Sequence, residues 1–182
     1  MKRSLSVWQI VGFIFTGILG VLLHFLFDLT NQSVLVAPFS AVNESIFEHI
    51  KLLFFPMLVF ALVENRYIGK EYKGFWCVKL IGVVLGIVLI PVLYYTINGI
   101  FGNTPDWVNI AIFFLTTAIV YWVETRLLKG KNINCKSNLA LLMLFLIALV
   151  LAVLTFIPPH IPFFEDPLTQ TYGYFKSVDN YK

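Results

Sequence analysis

Residues 139–157 have the sequence LALLMLFLIALVLAVLTFI, in which only Thr155 is polar. A helix that crosses a bilayer needs about 20 mostly apolar residues, each rising about 1.5 Å. This stretch therefore predicts a membrane-spanning helix. Four further stretches meet the same requirement, at about residues 7–29, 46–68, 76–97 and 107–128. All five apolar runs are continuous, whereas the strands of a membrane β-barrel would alternate apolar and polar residues.

The composition of the 182-residue chain agrees with five spans. Hydrophobic residues make up 59% and charged residues 13%, whereas soluble domains average about 45–50% and about 25%. This excludes a soluble globular domain and a disordered chain, and a net charge of +3 without a basic patch excludes a nucleic-acid binder. We predict an all-α polytopic protein in which residues 1–182 form a single integral membrane domain. The first span is too long for a removable signal peptide and lacks a small-residue cleavage site, so we expect it to be retained.

The charged residues divide between the two ends of the predicted spans. Ten of the thirteen Lys and Arg residues flank the N-terminus and the second-to-third and fourth-to-fifth connections. Seven of the ten acidic residues and all three histidines fall at the opposite ends. Because cytoplasmic loops are enriched in Lys and Arg, we predict a multi-pass protein of the cell membrane. Its N-terminus would lie in the cytoplasm and its C-terminus outside.

Two features of the predicted cytoplasmic side are less specific. Cys77 and Cys135 both fall there, and because disulfides need an oxidising compartment, we expect reduced thiols rather than metal ligands. The tetrapeptide VENR at residues 63–66 recurs as VETR at residues 123–126. We interpret the recurrence either as a duplicated helical hairpin or as ordinary snorkelling of Glu and Arg near helix ends.

The second span begins with a concentration of ionisable residues. Its uninterrupted apolar run is only twelve residues long, so Glu48, His49 and Lys51 lie either at the outer interface or below it. Charges at such a depth usually face the interior of a helix bundle. A capping box between Ser45 and Glu48 and an i,i+3 pair between Glu48 and Lys51 explain part of this group. They leave Glu44 and His49 unexplained.

The other two histidines also fall on the outer side. His24 and Asp28 lie one helical turn apart near the end of the first span, where Asp can orient an imidazole or share a metal ion. His160 and Asp166 lie in the proline-rich segment that follows the fifth span. We predict that residues 158–182 form an extracytoplasmic tail, which either docks on the bundle as an ordered plug or covers it as a catalytic lid.

These residues define a candidate outward-facing pocket. His and carboxylate ligands suit Zn²⁺ or a similar divalent ion, and a bound water can be activated beside a spare carboxylate. We therefore predict four metal ligands and a catalytic base, which are His24, Asp28, His49 and His160 as ligands and Glu44 or Glu48 as the base. The competing interpretation is that the outer charges only cap helices and pair locally.

Two segments resemble a known family. Residues 40–57, SAVNESIFEHIKLLFFPM, and residues 157–167, IPPHIPFFEDP, together with Tyr172 and Gly173, are similar to small multi-span bacterial membrane proteins known only as a domain of unknown function. The likeness extends over nearly the whole chain. It implies an integral membrane protein of bacterial origin and assigns neither an activity nor a functional residue.

The sequence thus leaves three functional interpretations. The leading one is a metal-dependent membrane hydrolase with a divalent metal such as zinc in the outward-facing pocket. The second is a small transporter or channel subunit, and the third is a non-catalytic accessory protein of the membrane. The expected partners are the lipid bilayer and either a second copy of the chain or another membrane protein, and no nucleic acid is expected.

Overall fold

The computed structural model describes residues 4–102, 104–130 and 133–174. Five helices and one short 3-10 helix, Gly69–Glu71, account for most of this part of the chain, and the five helices are α1 (Leu5–Leu29), α2 (Ile46–Tyr67), α3 (Phe75–Phe101), α4 (Asp106–Lys129) and α5 (Ser137–Phe156). All five are long and apolar enough to cross a membrane. The described residues include no strand, only an isolated bridge between Glu165 and Tyr172. The prediction of an all-helical chain with five such helices is confirmed.

Helix α2 is the centre of the bundle, because it contacts all four other helices. Of its most apolar stretch 72% is buried, against 22–44% for the other four helices. Its contact with α1 is especially close. Pro56 has no N–H to donate to the Leu52 carbonyl, and that oxygen lies only 2.8 Å from the position that a Cβ on Gly20 would occupy. Glycine at position 20 therefore permits the close packing of the two helices.

The loop between α1 and α2 is fastened to the end of α1. The Ser40 hydroxyl accepts a hydrogen bond from the Phe27 N–H at 3.0 Å and donates one to the Leu23 carbonyl. These bonds satisfy backbone groups of the last turns of α1 and bring the residues that precede α2 back toward it. We call the end of the bundle where α1 ends and α2 begins the upper end, and the opposite end the lower end.

The proline-rich segment after α5 docks on the upper end. The Phe47 N–H donates to the Phe163 carbonyl at 3.2 Å, and the Phe164 ring lies 4.6 Å from the Phe47 ring. The Tyr174 N–H closes the segment by donating to the Thr155 carbonyl at 2.7 Å. These contacts agree with an ordered plug. Residues 175–182 of the predicted tail lie outside the described residues.

The expectation of reduced thiols is wrong, because the structure joins Cys77 and Cys135 in a disulfide. Their Cα atoms are 6.5 Å apart, which lies within the usual range for such a bond. Gly74, the residue before α3, packs against the Ile133 carbonyl and so brings the two lower connections together. The two cysteines are 58 residues apart in the sequence, so their contact depends on how the lower connections pack and does not follow from cysteine usage.

Candidate metal site

Three of the predicted site residues meet at the upper end. His24 comes from the last turns of α1, Glu44 precedes α2 by two residues, and His49 lies in the first turn of α2. Glu44 Oε2 is 3.5 Å from His24 Nε2 and 3.6 Å from His49 Nε2, and the two imidazole rings are 5.4 Å apart. One ligand atom from each residue lies within 4.8 Å of the others. We call His24, Glu44 and His49 the upper triad.

Short polar contacts hold the segment that carries Glu44. Asn43 Oδ1 accepts from the Ser45 N–H at 2.9 Å, and Asn43 Nδ2 donates to the Gly173 carbonyl at 3.2 Å. Ser45 is the N-cap of α2 and accepts from the Glu48 N–H at 3.4 Å, as Ser does at this position in many helices. Glu44 therefore sits between a helix cap and a contact with the docked tail.

The tautomer of His49 follows from its backbone contact. Its Nδ1 lies 2.9 Å from the Ser45 carbonyl oxygen, and since a carbonyl can only accept, Nδ1 carries the hydrogen. In the neutral imidazole, Nε2 then has the free lone pair, and Nε2 is the atom that faces Glu44. A metal-binding His typically donates its other ring N–H to a carbonyl or carboxylate in this way.

The two contacts of Glu44 match the spacing of ligands around one ion better than that of hydrogen bonds. Hydrogen bonds from a ring N–H to oxygen are about 2.7–3.2 Å long, and both contacts of Glu44 are longer. Two ligand atoms of a tetrahedral Zn²⁺ at about 2.1 Å from the metal lie about 3.4 Å apart. Two imidazoles and one carboxylate also form the ligand set of several zinc hydrolases, which keep a fourth position open. The residues present therefore fit such an ion.

The charge state of Glu44 suits the same role. The neighbouring His24 imidazole, which lies 3.5 Å away, lowers the pKa of Glu44 below its usual value of 4.5, and the positive charge that the two imidazoles can carry acts in the same direction. Partial burial opposes this shift without reversing it. Glu44 is therefore an ionised carboxylate at neutral pH, the form that binds metal ions.

The upper triad lines a cavity of about 380 Å³. Its lower part is apolar and is formed by residues from four helices, which include Gly20, Leu52, Ile90 and Phe113. Tyr94 and Asn109 are the other polar residues of the wall, and no Lys or Arg belongs to the described residues that line it. Sequence reasoning missed Tyr94 and Asn109, although Asn109 stands out as the one amide in an otherwise apolar part of α4.

The structure does not bring three of the predicted site residues to the upper triad. Asp28 is exposed and is not among the clustered ligand atoms. His160 packs against the Tyr172 ring at 4.7 Å on the docked tail. Glu48 is fully buried, with its Oε2 2.6 Å from Lys51 Nζ and 2.9 Å from the Val42 N–H. The i,i+3 pair thus accounts for Glu48, and we no longer assign it a catalytic role.

Lys51 is buried with a complete set of partners. Besides Glu48, its ammonium donates to the Ala37 carbonyl at 2.9 Å and to the Thr155 hydroxyl at 2.8 Å. Three acceptors match its three donors. The Glu48–Lys51 pair thus links α2 to the loop that follows α1 and to α5. The sequence predicted the pair itself but not these further contacts.

A second buried group lies at the lower end, and we call Gln9, Glu64, Lys79 and Glu124 the lower cluster. Lys79 Nζ is 2.6 Å from Glu64 Oε2 and 2.5 Å from Glu124 Oε2, and all three side chains are at most 3% exposed. Gln9 donates to Glu64 at 2.6 Å. The two glutamates are the equivalent residues of the VENR and VETR tetrapeptides. Sequence reasoning counted Lys79 among the loop bases and missed this cluster, although the recurrence contained the signal.

The chain belongs to a family of unknown function (DUF6512), whose model matches residues 1–174. This confirms the resemblance to an uncharacterised domain of unknown function. No curated protein and no solved structure matches the chain.

Proposed function

We propose that the protein is a metal-dependent membrane hydrolase whose ion is bound by the upper triad. The five apolar helices lie in the cell membrane, with the N-terminus in the cytoplasm and the upper end of the bundle outside. The exposed apolar side chains of α1, such as Ile10, Ile14 and Ile18, support contact with lipid. The distribution of Lys and Arg supports the orientation. The same orientation places the Cys77–Cys135 disulfide on the cytoplasmic side, where such bonds are uncommon, and this observation opposes it.

The ligand chemistry supports a catalytic rather than a purely structural metal. Structural zinc sites are usually closed by four protein ligands, whereas catalytic sites have three and leave one position for water. The upper triad offers three ligands, and it faces a cavity. When bound, the ion would lower the pKa of its water and so supply a nucleophile at neutral pH.

The residues of the chain would then perform distinct tasks. His24 binds the ion from α1. Glu44, which the sequence analysis assigned as the base, instead binds the ion from the loop before α2. His49 binds it through Nε2 while the Ser45 carbonyl fixes the ring. The apolar wall below them limits the access of bulk water to the substrate. The observation that carries this proposal is the pair of 3.5 and 3.6 Å separations around Glu44 Oε2, which suit a shared ion.

Metal binding by purified protein tests this proposal. Calorimetric titration of metal-free protein with Zn²⁺ should give one site per chain, and His49→Ala should weaken it by at least about 100-fold, because even the loss of an outer-shell partner costs about 10–100-fold. His160→Ala is the matched control, since that ring contacts Tyr172 and not the upper triad. Equal affinity in wild type and His49→Ala, or no Zn²⁺ binding by folded wild type, would refute the site.

A second candidate function is transport, which one observation favours. The polar side chains of α1 at positions 9, 16 and 24 recur every seven or eight residues and so lie near one face of the helix. Gln9 belongs to the lower cluster, Thr16 hydrogen-bonds the Tyr121 hydroxyl at 2.8 Å, and His24 belongs to the upper triad. Together they cover about 22 Å along α1.

Uptake into proteoliposomes separates the two functions. Transport predicts that Zn²⁺ reaches a chelating dye inside vesicles containing wild-type protein, and that both His49→Ala and the charge-free triple variant Glu64→Gln, Lys79→Met, Glu124→Gln stop the uptake. Hydrolysis predicts no uptake above protein-free vesicles. Uptake that depends both on His49 and on the charges of the lower cluster would replace the hydrolase by a transporter.

A further inference from the structure

We infer that the lower cluster is a proton-binding site, in which the carboxyl group of Glu124 holds one proton at neutral pH. The balance of charges is the first argument. Two carboxyl groups, of Glu64 and Glu124, face the single ammonium of Lys79, and all three side chains are almost completely buried. If both acids were ionised, one negative charge would remain without a counterion. A buried charge of this kind is costly, and the acid takes up a proton instead.

The surroundings of the cluster supply no second cation. Among the described residues, no Lys or Arg other than Lys79 lies within salt-bridge distance of either glutamate. Arg66 and Arg126 follow the two glutamates by two residues, so they lie on the opposite helix faces, and both are exposed. The titratable residues that do face the glutamates are Tyr121 of α4 and Tyr72 before α3. Their hydroxyls are uncharged at neutral pH and cannot balance a carboxylate.

The hydrogen bonds assign the proton to Glu124. Glu64 Oε1 accepts from the Gln9 amide at 2.6 Å, and the Oε2 atoms of both glutamates contact the Lys79 ammonium. Glu124 Oε1 is buried without a donor, and so is the Gln9 carbonyl oxygen. A carboxylic acid is uncharged and adds an O–H donor to a cluster that has too few. Glu64, which has the additional donor, remains ionised and pairs with Lys79.

The packing favours a proton over a metal cation. Glu124 Oε1 lies in the space that a Cβ on Gly82 would fill, so the backbone of α3 directly covers this oxygen. The Lys79 ammonium already occupies the position beside the Oε2 atoms of the two glutamates. Hard metal cations take about six or more oxygen ligands, whereas a proton needs one oxygen and almost no additional space.

The position of the cluster determines the source of the proton. Gln9 and Lys79 each lie four residues after the first residue of their helices, Glu64 lies three before the last residue of α2, and Glu124 lies five before the last residue of α4. All four are therefore within about two turns of the lower end. The upper triad is about 22 Å away along α2. The proton thus exchanges with the water at the lower end, and this inference does not depend on a metal at the upper triad.

Infrared difference spectroscopy of the whole protein in phospholipid nanodiscs tests the inference. A protonated carboxyl group has a C=O stretching band that a carboxylate lacks. We expect wild type at pH 7 to show such a band and Glu124→Gln to lose it. Glu64→Gln should lose it as well, because this variant leaves one carboxylate with one ammonium. Glu71→Gln is the matched control and should retain the band, since Glu71 is exposed at the same end of the bundle.

Unfolding in mild detergent at several pH values gives a second measurement. The folded protein would hold a proton that the unfolded chain releases, so raising the pH favours unfolding. From pH 5 to pH 6 the unfolding equilibrium constant of wild type should increase about tenfold relative to that of Glu64→Gln.

Three results would overturn the inference. The first is a carboxylic acid band that is the same in wild type and Glu124→Gln. The second is an equal pH dependence of unfolding in wild type and Glu64→Gln. The third is a band that appears only after Na⁺ is replaced by a large organic cation, which would assign the site to a metal cation instead. Zn²⁺ binding at the upper triad is measured separately, so its failure would refute the hydrolase and leave the proton site unaffected.

Discussion

Replacing Lys79 by methionine should strongly destabilise the protein. The ammonium of Lys79 lies 2.6 Å from Glu64 and 2.5 Å from Glu124, and the three side chains are 3%, 0% and 0% exposed. Lys79→Met would leave two carboxylates facing each other in a buried site. The removal of one partner from a buried ion pair costs about 3–5 kcal/mol, and uptake of a proton by one carboxylate would put the loss at the lower end of this range. That is a large part of a total stability of about 5–15 kcal/mol.

Two variants distinguish the cost of leaving two buried carboxylates unpaired from the cost of replacing any lysine. The triple variant Glu64→Gln, Lys79→Met, Glu124→Gln removes every charge of the lower cluster and should recover most of the loss, because neutral replacement of a buried ion pair is often tolerated. Lys129→Met removes an exposed ammonium that bonds Ser6 at 2.7 Å and should stay within about 0.5 kcal/mol.

The assay is reversible unfolding in mild detergent, followed by circular dichroism as denaturant is added. A loss below about 1 kcal/mol for Lys79→Met would place its cost among ordinary single substitutions. That result would show that the buried charges of the lower cluster are not coupled as argued. A triple variant no more stable than Lys79→Met would contradict the argument in the same way.

Three further predictions concern other parts of the molecule. Gly82→Ala would place a methyl group against the Glu124 carboxylate and should cost about 1–3 kcal/mol of stability. Gly99→Ala has no atom within 4 Å of the new Cβ and should be neutral or stabilising by up to about 1 kcal/mol. Unfolding of both variants in detergent checks this contrast. The pKa of Glu44 is lowered from 4.5 in the folded protein. Its contribution to stability is therefore complete above pH 4.5 and is lost as the pH falls through the lower folded-state value. The unfolding midpoints of wild type and Glu44→Gln should differ at pH 6 and converge only in stronger acid. Cys135→Ser removes a cross-link between residues 58 positions apart and should cost up to about 4 kcal/mol of stability by the loop-entropy model. Reductant should lower the stability of wild type to that of the variant. No effect of reductant would show that the disulfide does not form.

The helices could be predicted from the sequence because composition alone decides them. Predicted and observed helix ends differ by at most four residues, since continuous apolar runs bounded by charged or proline-rich segments leave little choice. The grouping of His24 with His49 was also accessible, as both fall at the same end of antiparallel helices. The sequence does not show which carboxylate joins the two histidines. Glu44 and Glu48 lie one turn apart, and hydrogen bonds of the loop decide between them.

The lower cluster could not be predicted by the same reasoning. A lysine in the second turn of a helix can extend toward the interface or turn into the bundle, and the rotation of the helix about its axis decides which. Gly82, one turn above Lys79 on α3, allows Glu124 of α4 to come close. Lys79 is thereby directed inward. Such a choice depends on packing between three helices. The repeated tetrapeptide marks Glu64 and Glu124 in the sequence, but it does not show that Lys79 turns toward them.

The central position of α2 explains why a span with so many ionisable residues is possible. A charge on a lipid-facing helix costs about 2.5–3.5 kcal/mol or more, but α2 contacts all four other helices, so its charged groups meet protein. Lys51 finds acceptors on the first loop and on α5, and Glu64 finds donors on α1 and α3. A twelve-residue apolar run is therefore enough for this helix.

The same helix separates the two polar groups. His49 and Glu64 are fifteen residues apart on α2, which corresponds to about 22 Å, so no side chain connects the upper triad with the lower cluster directly. For a hydrolase, the charge-free triple variant of the lower cluster should bind Zn²⁺ with the affinity of wild type while His49→Ala does not. For a transporter, the two groups would be successive stations of one path, and the triple variant would keep Zn²⁺ binding but lose uptake. The combination of equilibrium binding and vesicle uptake in this one variant thus decides whether the lower cluster serves stability alone or also the passage of an ion.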